Sequence, residues 1–154
     1  MSETIETRLA NLGITIPEAA APAANYVPYA QSGTLLFTSG QLPLAGGKLV
    51  HAGLLGGEVS VEQGQEAARA AAINVLAQAK AALGDLSRIK RIVKITVFVA
   101  STPAFTEQHL VANGGSDLFV AVLGDAGRHA RSAVGTASLP FNAPVEIEAI
   151  IEVA

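Results

Sequence analysis

Apolar residues recur along this chain with two different periods. Between Val61 and Leu83 they fall at Val61, Ala68, Ala72, Val75, Leu76, Ala79 and Leu83, the spacing of one helical face. Ser60 and Gln63 occupy the two ends of a capping box, and Gly84 stands where a left-handed residue closes a helix. The face is mostly alanine, so this helix is expected to pack closely on a sheet. From Arg91 to Ala100 the period becomes two: Val93, Ile95, Val97 and Val99 share one face, Lys94, Thr96 and Phe98 the other. That pattern predicts a strand with both faces at least partly covered.

The remaining elements follow from turn residues. Tyr26–Ala30 and Thr34–Thr38 flank Gln31-Ser32-Gly33, which predicts a hairpin; Gly46-Gly47 marks another turn and Gly53–Gly57 a glycine-rich loop. Thr102-Pro103 reads as the cap and first residue of a second helix. Gly114-Gly115 is expected to break or kink it, with Ser116 capping a continuation over Asp117–Leu123 that Gly124 ends. Strands near Arg131–Thr136 and Pro144–Val153 finish the chain. The order β-β-α-β-α-β-β predicts an α+β sandwich, one sheet with two helices packed on one face. Ahead of it, Ile5, Leu9 and Leu12 form a short amphipathic start, and Pro17–Pro22 is rich in Pro and Ala. Residues 1–24 are therefore read as an extension and 25–154 as the domain, without internal repeats.

Composition changes this picture in one respect. Half of the 154 residues are hydrophobic and only 15% are charged, whereas roughly a quarter is usual in globular chains. The mean hydropathy is +0.41, yet no apolar run has membrane length, and Lys94 interrupts the most hydrophobic stretch, Ile92–Val99. The surplus of apolar side chains predicts surface hidden between subunits, hence a homo-oligomer. Met1-Ser2-Glu3-Thr4-Ile5-Glu6 is acidic at its start and is not read as a secretory signal. The absence of cysteine removes disulfides, thiol nucleophiles and thiolate metal sites, and suits the cytosol. A net charge of −3 leaves no basic footprint for nucleic acid.

Candidate chemistry concentrates in the last quarter, from His129-Ala130-Arg131-Ser132 to Val145-Glu146-Ile147-Glu148. In the final strand Val145, Ile147, Ala149, Ile151 and Val153 point one way, Glu146, Glu148, Ile150 and Glu152 the other. Two readings are open: the glutamate face meets water, or it lines a cleft between subunits. In the second, Lys94 neutralises Glu148 or a neighbour and leaves Glu146 free for chemistry; carboxylates ~7 Å apart on one face disfavour each other's ionisation. Arg131 is either a surface arginine or, set among Ala130, Ala133, Val134 and Gly135, the partner of an anion. His51, His109 and His129 lack metal-ligand spacing, so no metal is expected. Gly-x-Ser-x-Gly, a Walker loop and Gly-x-Gly-x-x-Gly are all missing, and Asp117 has no histidine at a triad-like spacing.

Arg131-Ser132-Ala133-Val134, then Leu139-Pro140 and Val145-Glu146-Ile147-Glu148-Ala149-Ile150, resemble the carboxy-terminal signature of the Rid family of reactive intermediate deaminases, also called the YjgF family. The likeness continues through Pro28-Tyr29-Ala30-Gln31, Phe37-Thr38-Ser39-Gly40-Gln41-Leu42-Pro43 and Val93–Val99, and so covers roughly 25–154. It implies a chorismate-mutase-like fold with a mixed sheet, assembled as a homotrimer around a central β-barrel with clefts between subunits. It also implies hydrolysis of amino-acid-derived enamines or imines, such as 2-aminoacrylate, to a 2-oxo acid and ammonia, without cofactor or metal. On that pattern Arg131 clamps the substrate carboxylate and Glu146 holds the attacking water or relays a proton. Tyr29 supplies a hydroxyl across the interface, and backbone groups near Ser39, Gly40 and Ala133 complete the pocket.

The chain departs from the pattern at several points. Ala133 stands where many relatives have cysteine, Gly135-Thr136 replaces Glu-Val, and Val27 replaces glycine before Pro-Tyr. Residues 1–24 and the Gly53–Gly57 and Gly114–Gly127 regions also differ, which marks a divergent subfamily. Two other functions compete with deamination: a non-catalytic trimer that binds small carboxylates, which needs Arg131 but not Glu146, and an endoribonuclease, which the acidic charge disfavours.

Overall fold

The computed structural model describes residues 3–154; the amino-terminal reading lies outside the described residues at Met1 and Ser2. A short helix α1 (Ile5–Asn11) starts at Thr4, whose side chain accepts a hydrogen bond from the Thr7 amide. It buries Leu9, and Ile14 just beyond it joins the same core.

The predicted hairpin forms with a shifted turn. Strands β1 (Tyr29–Ser32) and β2 (Leu35–Thr38) pair antiparallel with Ser32 opposite Leu35. Gln31 and Ser32 are therefore strand, and the loop is Gly33-Thr34. Gly33 sits at φ +59, and a two-residue hairpin loop requires positive φ at its first position where the second has none, which only glycine adopts freely. Gly46-Gly47 turns a second, small hairpin, β3 (Leu44–Ala45) with β4 (Lys48–Leu49).

Helix α2 (Val61–Leu83) has the expected boundaries. Ser60 accepts from the Gln63 amide at 3.1 Å, the Gln63 side chain accepts from the Ser60 amide at 2.9 Å, and Gly84 closes the other end. Strand β5 (Ile89–Ala100) begins earlier than predicted and changes register between Ile92 and Lys94. This bulge puts Ile92, rather than Val93, in the core beside Ile95, Val97 and Val99.

The second helix differs most from expectation. Thr102-Pro103 does not start it: the Thr102 amide donates to Leu55, and Thr102–Phe105 forms a turn. Helix α3 (Gln108–Leu123) then runs without interruption through Gly114-Gly115. The glycines serve contact. A Cβ on Gly114 would overlap the Gln65 carbonyl of α2, and one on Gly115 would lie 2.8 Å from Cδ1 of Ile147. Gly64 makes the reciprocal approach from α2, where a Cβ would lie 3.0 Å from Cγ1 of Val111. Ser116, inside the continuous helix, caps nothing.

Strands β6 (Ala130–Thr136) and β7 (Val145–Val153) complete a five-stranded mixed sheet in the order β1-β2-β7-β5-β6. Only β5 and β6 are parallel; the other neighbours are antiparallel. Helices α2 and α3 cover one face, and alanines 67, 68, 71, 72 and 79 are buried between layers with Ile95, Val97, Ile147 and Ile151. The uncovered face carries Phe37 and Val134, 39% and 44% exposed. Among the described residues no helix is long and apolar enough to cross a membrane.

The tight α2–α3 contact generates a test. Gly114→Ala is expected to lower stability by about 1–3 kcal/mol, because overpacking against a backbone carbonyl outweighs the ~1 kcal/mol gain in helix propensity. Urea denaturation of the variant beside the parent protein measures it.

Candidate functional site

The register of the sheet assigns every candidate residue to a face. Ala149, Ile95 and Arg131 lie opposite one another across β7, β5 and β6, as do Ile147, Val97 and Ala133. Ile95 and Ile147 are buried beneath the helices, so Arg131 and Ala133 belong to the helix-covered face, at the β6 edge. Glu146, Phe98 and Val134 form a row on the opposite face, with Glu148, Thr96 and Ser132 in the next.

Arg131 is held by the helix that crosses above it. Its Nη1 donates to Asn113 Oδ1 at 2.9 Å and to Ser116 Oγ at 3.1 Å, and its Nη2 donates to the His109 carbonyl at 3.2 Å. His109, Asn113 and Ser116 are spaced four and three residues apart, one face of α3. Every partner is neutral. Ion pairs among the described residues join His51 to Glu66, Arg91 to Glu152 and Arg128 to Asp125, so Arg131 retains its full positive charge, half-buried. A guanidinium has five N–H groups, of which these bonds use three. The Nε–H and one Nη2–H have no partner among the described residues, and neighbouring N–H groups of this kind match the two oxygens of a carboxylate.

Ser116 links Arg131 to His129. Its Oγ lies 2.9 Å from His129 Nε2, and His129 Nδ1 lies 2.6 Å from the Gly127 carbonyl. A carbonyl only accepts, which assigns the proton to Nδ1; Nε2 then accepts from the Ser116 hydroxyl, and that oxygen accepts from Arg131. Phe119 fixes the ring edge-on, with centroids 5.9 Å apart. Burial holds the His129 pKa below the usual histidine value; the bond to Gly127 opposes this and the charge of Arg131 adds to it. The imidazole is therefore neutral over a wider range of pH than a solvated one.

The other candidates gather elsewhere in the chain. Tyr29 opens β1 at the far edge of the sheet and packs on the core. The Ser39 amide donates to Pro28 at 2.9 Å and its hydroxyl to Val27 at 2.6 Å, and Gln41 exchanges backbone hydrogen bonds with Ile147. Gly40 lies directly against Glu146: a Cβ there would overlap its carboxylate. Glu146 is half-buried, and its pKa is raised first by burial and then by the charge of Glu148. The expected neutralisation by Lys94 does not occur within one copy; Lys94 stands opposite Ile150, and the pair Thr96–Glu148 is the next one along. One chain thus brings Glu146 together with Gly40, and Ser39 with the start of β1, while Arg131 and Ala133 occupy the opposite edge and face. Sequence reasoning missed Asn113, Ser116 and His129. For Asn113 and Ser116 the signal was their spacing with His109, three polar residues along one face of α3; nothing local marked His129.

Residues 6–152 match the family described as "YjgF/chorismate mutase-like, putative endoribonuclease". Protein TCP17 of Trypanosoma cruzi is 54% identical over 154 residues, spanning 98% of this chain and 95% of that protein. Among solved structures, the protein Atu1372 of unknown function from Agrobacterium tumefaciens is 58% identical and superposes with a TM-score of 0.92, covering 97% of this chain and 92% of that one. The YjgF gene product of E. coli is 30% identical with a TM-score of 0.64, covering 98% of each chain.

The burial of Glu146 has a thermodynamic signature. Its pKa is raised on folding, so its contribution to stability is full below the unfolded value near 4.5 and is lost as the pH rises through the folded value. Glu146→Gln is therefore expected to raise the melting temperature at pH 7 and to lose that advantage below about pH 4. Differential scanning fluorimetry between pH 3.5 and 8 measures the crossover.

Proposed function

Because the chain belongs to the YjgF/chorismate mutase-like family, we propose that it is a metal-free hydrolytic deaminase of small enamine or imine intermediates of amino acids, releasing a 2-oxo acid and ammonia. The observation that carries this reading is the uncompensated guanidinium of Arg131, braced by three neutral acceptors with two adjacent N–H groups left over. It grips the substrate carboxylate two-pronged and fixes the imine carbon beside the cleft. That carbon is already electrophilic, so attack by water needs positioning more than activation.

Glu146 supplies the positioning from a neighbouring copy. The separation of Arg131 and Glu146 onto opposite faces of one sheet supports a site assembled between chains. So does the exposure of Phe37 and Val134 on the uncovered face of the sheet. We assign the assembly as a homotrimer whose sheets close a central barrel, each cleft pairing Arg131 and Ala133 of one copy with Tyr29, Ser39, Gly40 and Glu146 of the next. A Glu146 carboxyl whose pKa is raised by burial and by Glu148 is suited to hold water by hydrogen bonding and to exchange a proton with it. A second reading, a non-catalytic module for small carboxylates, is favoured by the fact that the bracing of Arg131 is complete within one chain.

Generating 2-aminoacrylate in situ and following its decay separates the two. Acceleration by the parent protein is expected, with a loss of kcat/KM of about 100-fold or more in Arg131→Ala, whose carboxylate anchor is gone. Pyruvate binding without acceleration supports the binding module instead. Light scattering is expected to give three times the chain mass of 15.7 kDa, and a monomer overturns the shared site.

A further inference from the structure

The edge of the sheet that carries Arg131 leads to a second feature. Arg131, Ala133 and Gly135 share one face of β6, and Gly135 opens onto a hollow of about 430 Å³ bounded by Leu54, Ser101, Thr102, Phe105 and Gln108. We propose that this hollow receives the side chain of the substrate whose carboxylate Arg131 holds, so that the preferred substrates are imines of amino acids with an uncharged side chain of about four or five heavy atoms. The inference rests on the reading of Arg131 as the carboxylate anchor and adds to it the class of side chain.

The guanidinium gives the direction. Its Nη1 is spent on Asn113 and Ser116, whereas Nη2 reaches the His109 carbonyl. The N–H groups left over, on Nε and Nη2, therefore lie toward the amino-terminal end of α3, where Gln108 precedes His109. A helical rise of about 1.5 Å per residue places Gln108 about 7.5 Å along the axis from Asn113. On the strand, with about 3.3 Å per residue, Ala133 stands midway along the ~13 Å from Arg131 to Gly135. Strand and helix meet again at the far end, since a Cβ on Gly135 would lie 3.0 Å from Gln108 Nε2 and 2.9 Å from Ser101 Oγ. An extended chain advances roughly 1.2 Å per bond, so a side chain of about four or five atoms spans the distance from the carboxylate to the hollow. The single carbon of 2-aminoacrylate does not.

The lining sets the class of side chain. None of the residues around the hollow is charged, and Leu54 and Phe105 give it apolar walls, so a carboxylate or ammonium carried there finds no counter-charge. Gln108 supplies one directed contact. Its Nε2 donates to the Phe105 carbonyl at 2.9 Å and to Ser101 Oγ at 3.3 Å, while the Ser101 hydroxyl donates to the Val99 carbonyl at 3.1 Å. A carbonyl only accepts, which assigns the nitrogen of the carboxamide to the Phe105 side. Oε1 of Gln108 accepts no hydrogen bond among the described residues and is the acceptor left for an N–H of the ligand. Backbone bonds hold the walls in place: the Ser101 amide donates to the Thr136 carbonyl and the Thr102 amide to the Leu55 carbonyl, both at 3.0 Å. Glycine at 135 keeps the strand side open, because any other residue projects a Cβ against Ser101 and Gln108.

Two experiments on the intact protein test this. Imines generated in situ by oxidation of methionine, asparagine, aspartate and alanine are compared by kcat/KM. Those from methionine and asparagine are expected to exceed those from alanine and aspartate by about 10-fold or more, as for a pocket filled rather than left empty or given an unpaired charge. Gly135→Val is expected to cut the methionine-to-alanine ratio by about 10-fold, and Gln108→Met the asparagine-to-methionine ratio by about as much. Calorimetric binding of the matching 2-oxo acids is expected to follow the same order, with 4-methylthio-2-oxobutanoate tighter than pyruvate and the difference lost in Gly135→Val. Equal kcat/KM across the four imines, or a methionine-to-alanine ratio that survives Gly135→Val, overturns the side-chain pocket and leaves the deaminase reading standing. If the parent accelerates none of the imines, the deaminase reading falls and the oxo-acid series decides the pocket alone: a Gly135-dependent preference for the longer acid upholds it, and equal binding overturns it.

Discussion

The approach of α3 to α2 sets the geometry around Arg131. Gly114 and Gly115 bring α3 down onto the Gln65 carbonyl and onto Ile147, while Gly64 and the small residues of α2 accept it from the other side. A helix riding higher by the width of a methyl group would still bury Val111, Phe119 and Val122. It would not hold the His109 carbonyl, Asn113 and Ser116 within 3.2 Å of a guanidinium on the edge strand. Packing of the most ordinary kind, glycine and alanine between two layers, thus sets hydrogen-bond distances at a half-buried cation that has no ion-pair partner among the described residues.

Charge placement gives the complementary constraint. Arg131 lies under the helices at one edge of the sheet, and Glu146 on the bare face two strands away. Each is half-buried, and each lacks an ion-pair partner among the described residues. Buried charge without a partner is costly; two such groups of opposite sign on one small domain are most simply explained if assembly brings them near a common ligand. The exposed Phe37 and Val134 on that bare face are compatible with the same arrangement, since the helices cover the sheet on one side only.

How much of this could be read in advance depended on whether the signal was local. The capping box at Ser60, the alanine face of α2 and the alternation in β5 are written in neighbouring residues, and α2 formed with the boundaries predicted. Errors arose where tertiary contact decides. Gly114-Gly115 looks like a helix break because isolated glycines weaken helices, and only the neighbouring helix shows why the chain tolerates them. Thr102-Pro103 has the chemistry of a helix start, but Leu55 captures the Thr102 amide first. The hairpin was right and its turn was off by a residue, as the φ of Gly33 determines. At the site, Arg131 and Glu146 stood out as charges in apolar surroundings. Asn113, Ser116 and His129 did not, because their common purpose appears only when α3 is laid over β6.

Position 133 has a consequence for the conditions under which the site can operate. Ala133 lies two residues from Arg131 on the same face of β6 and packs on the core, and the whole chain lacks cysteine. Guanidinium, hydroxyl, imidazole and carboxylate are all indifferent to peroxide at levels that convert thiolates to sulfenic acids. Chemistry built from nitrogen and oxygen alone keeps its composition through oxidative bursts, and no thiol reagent can silence it.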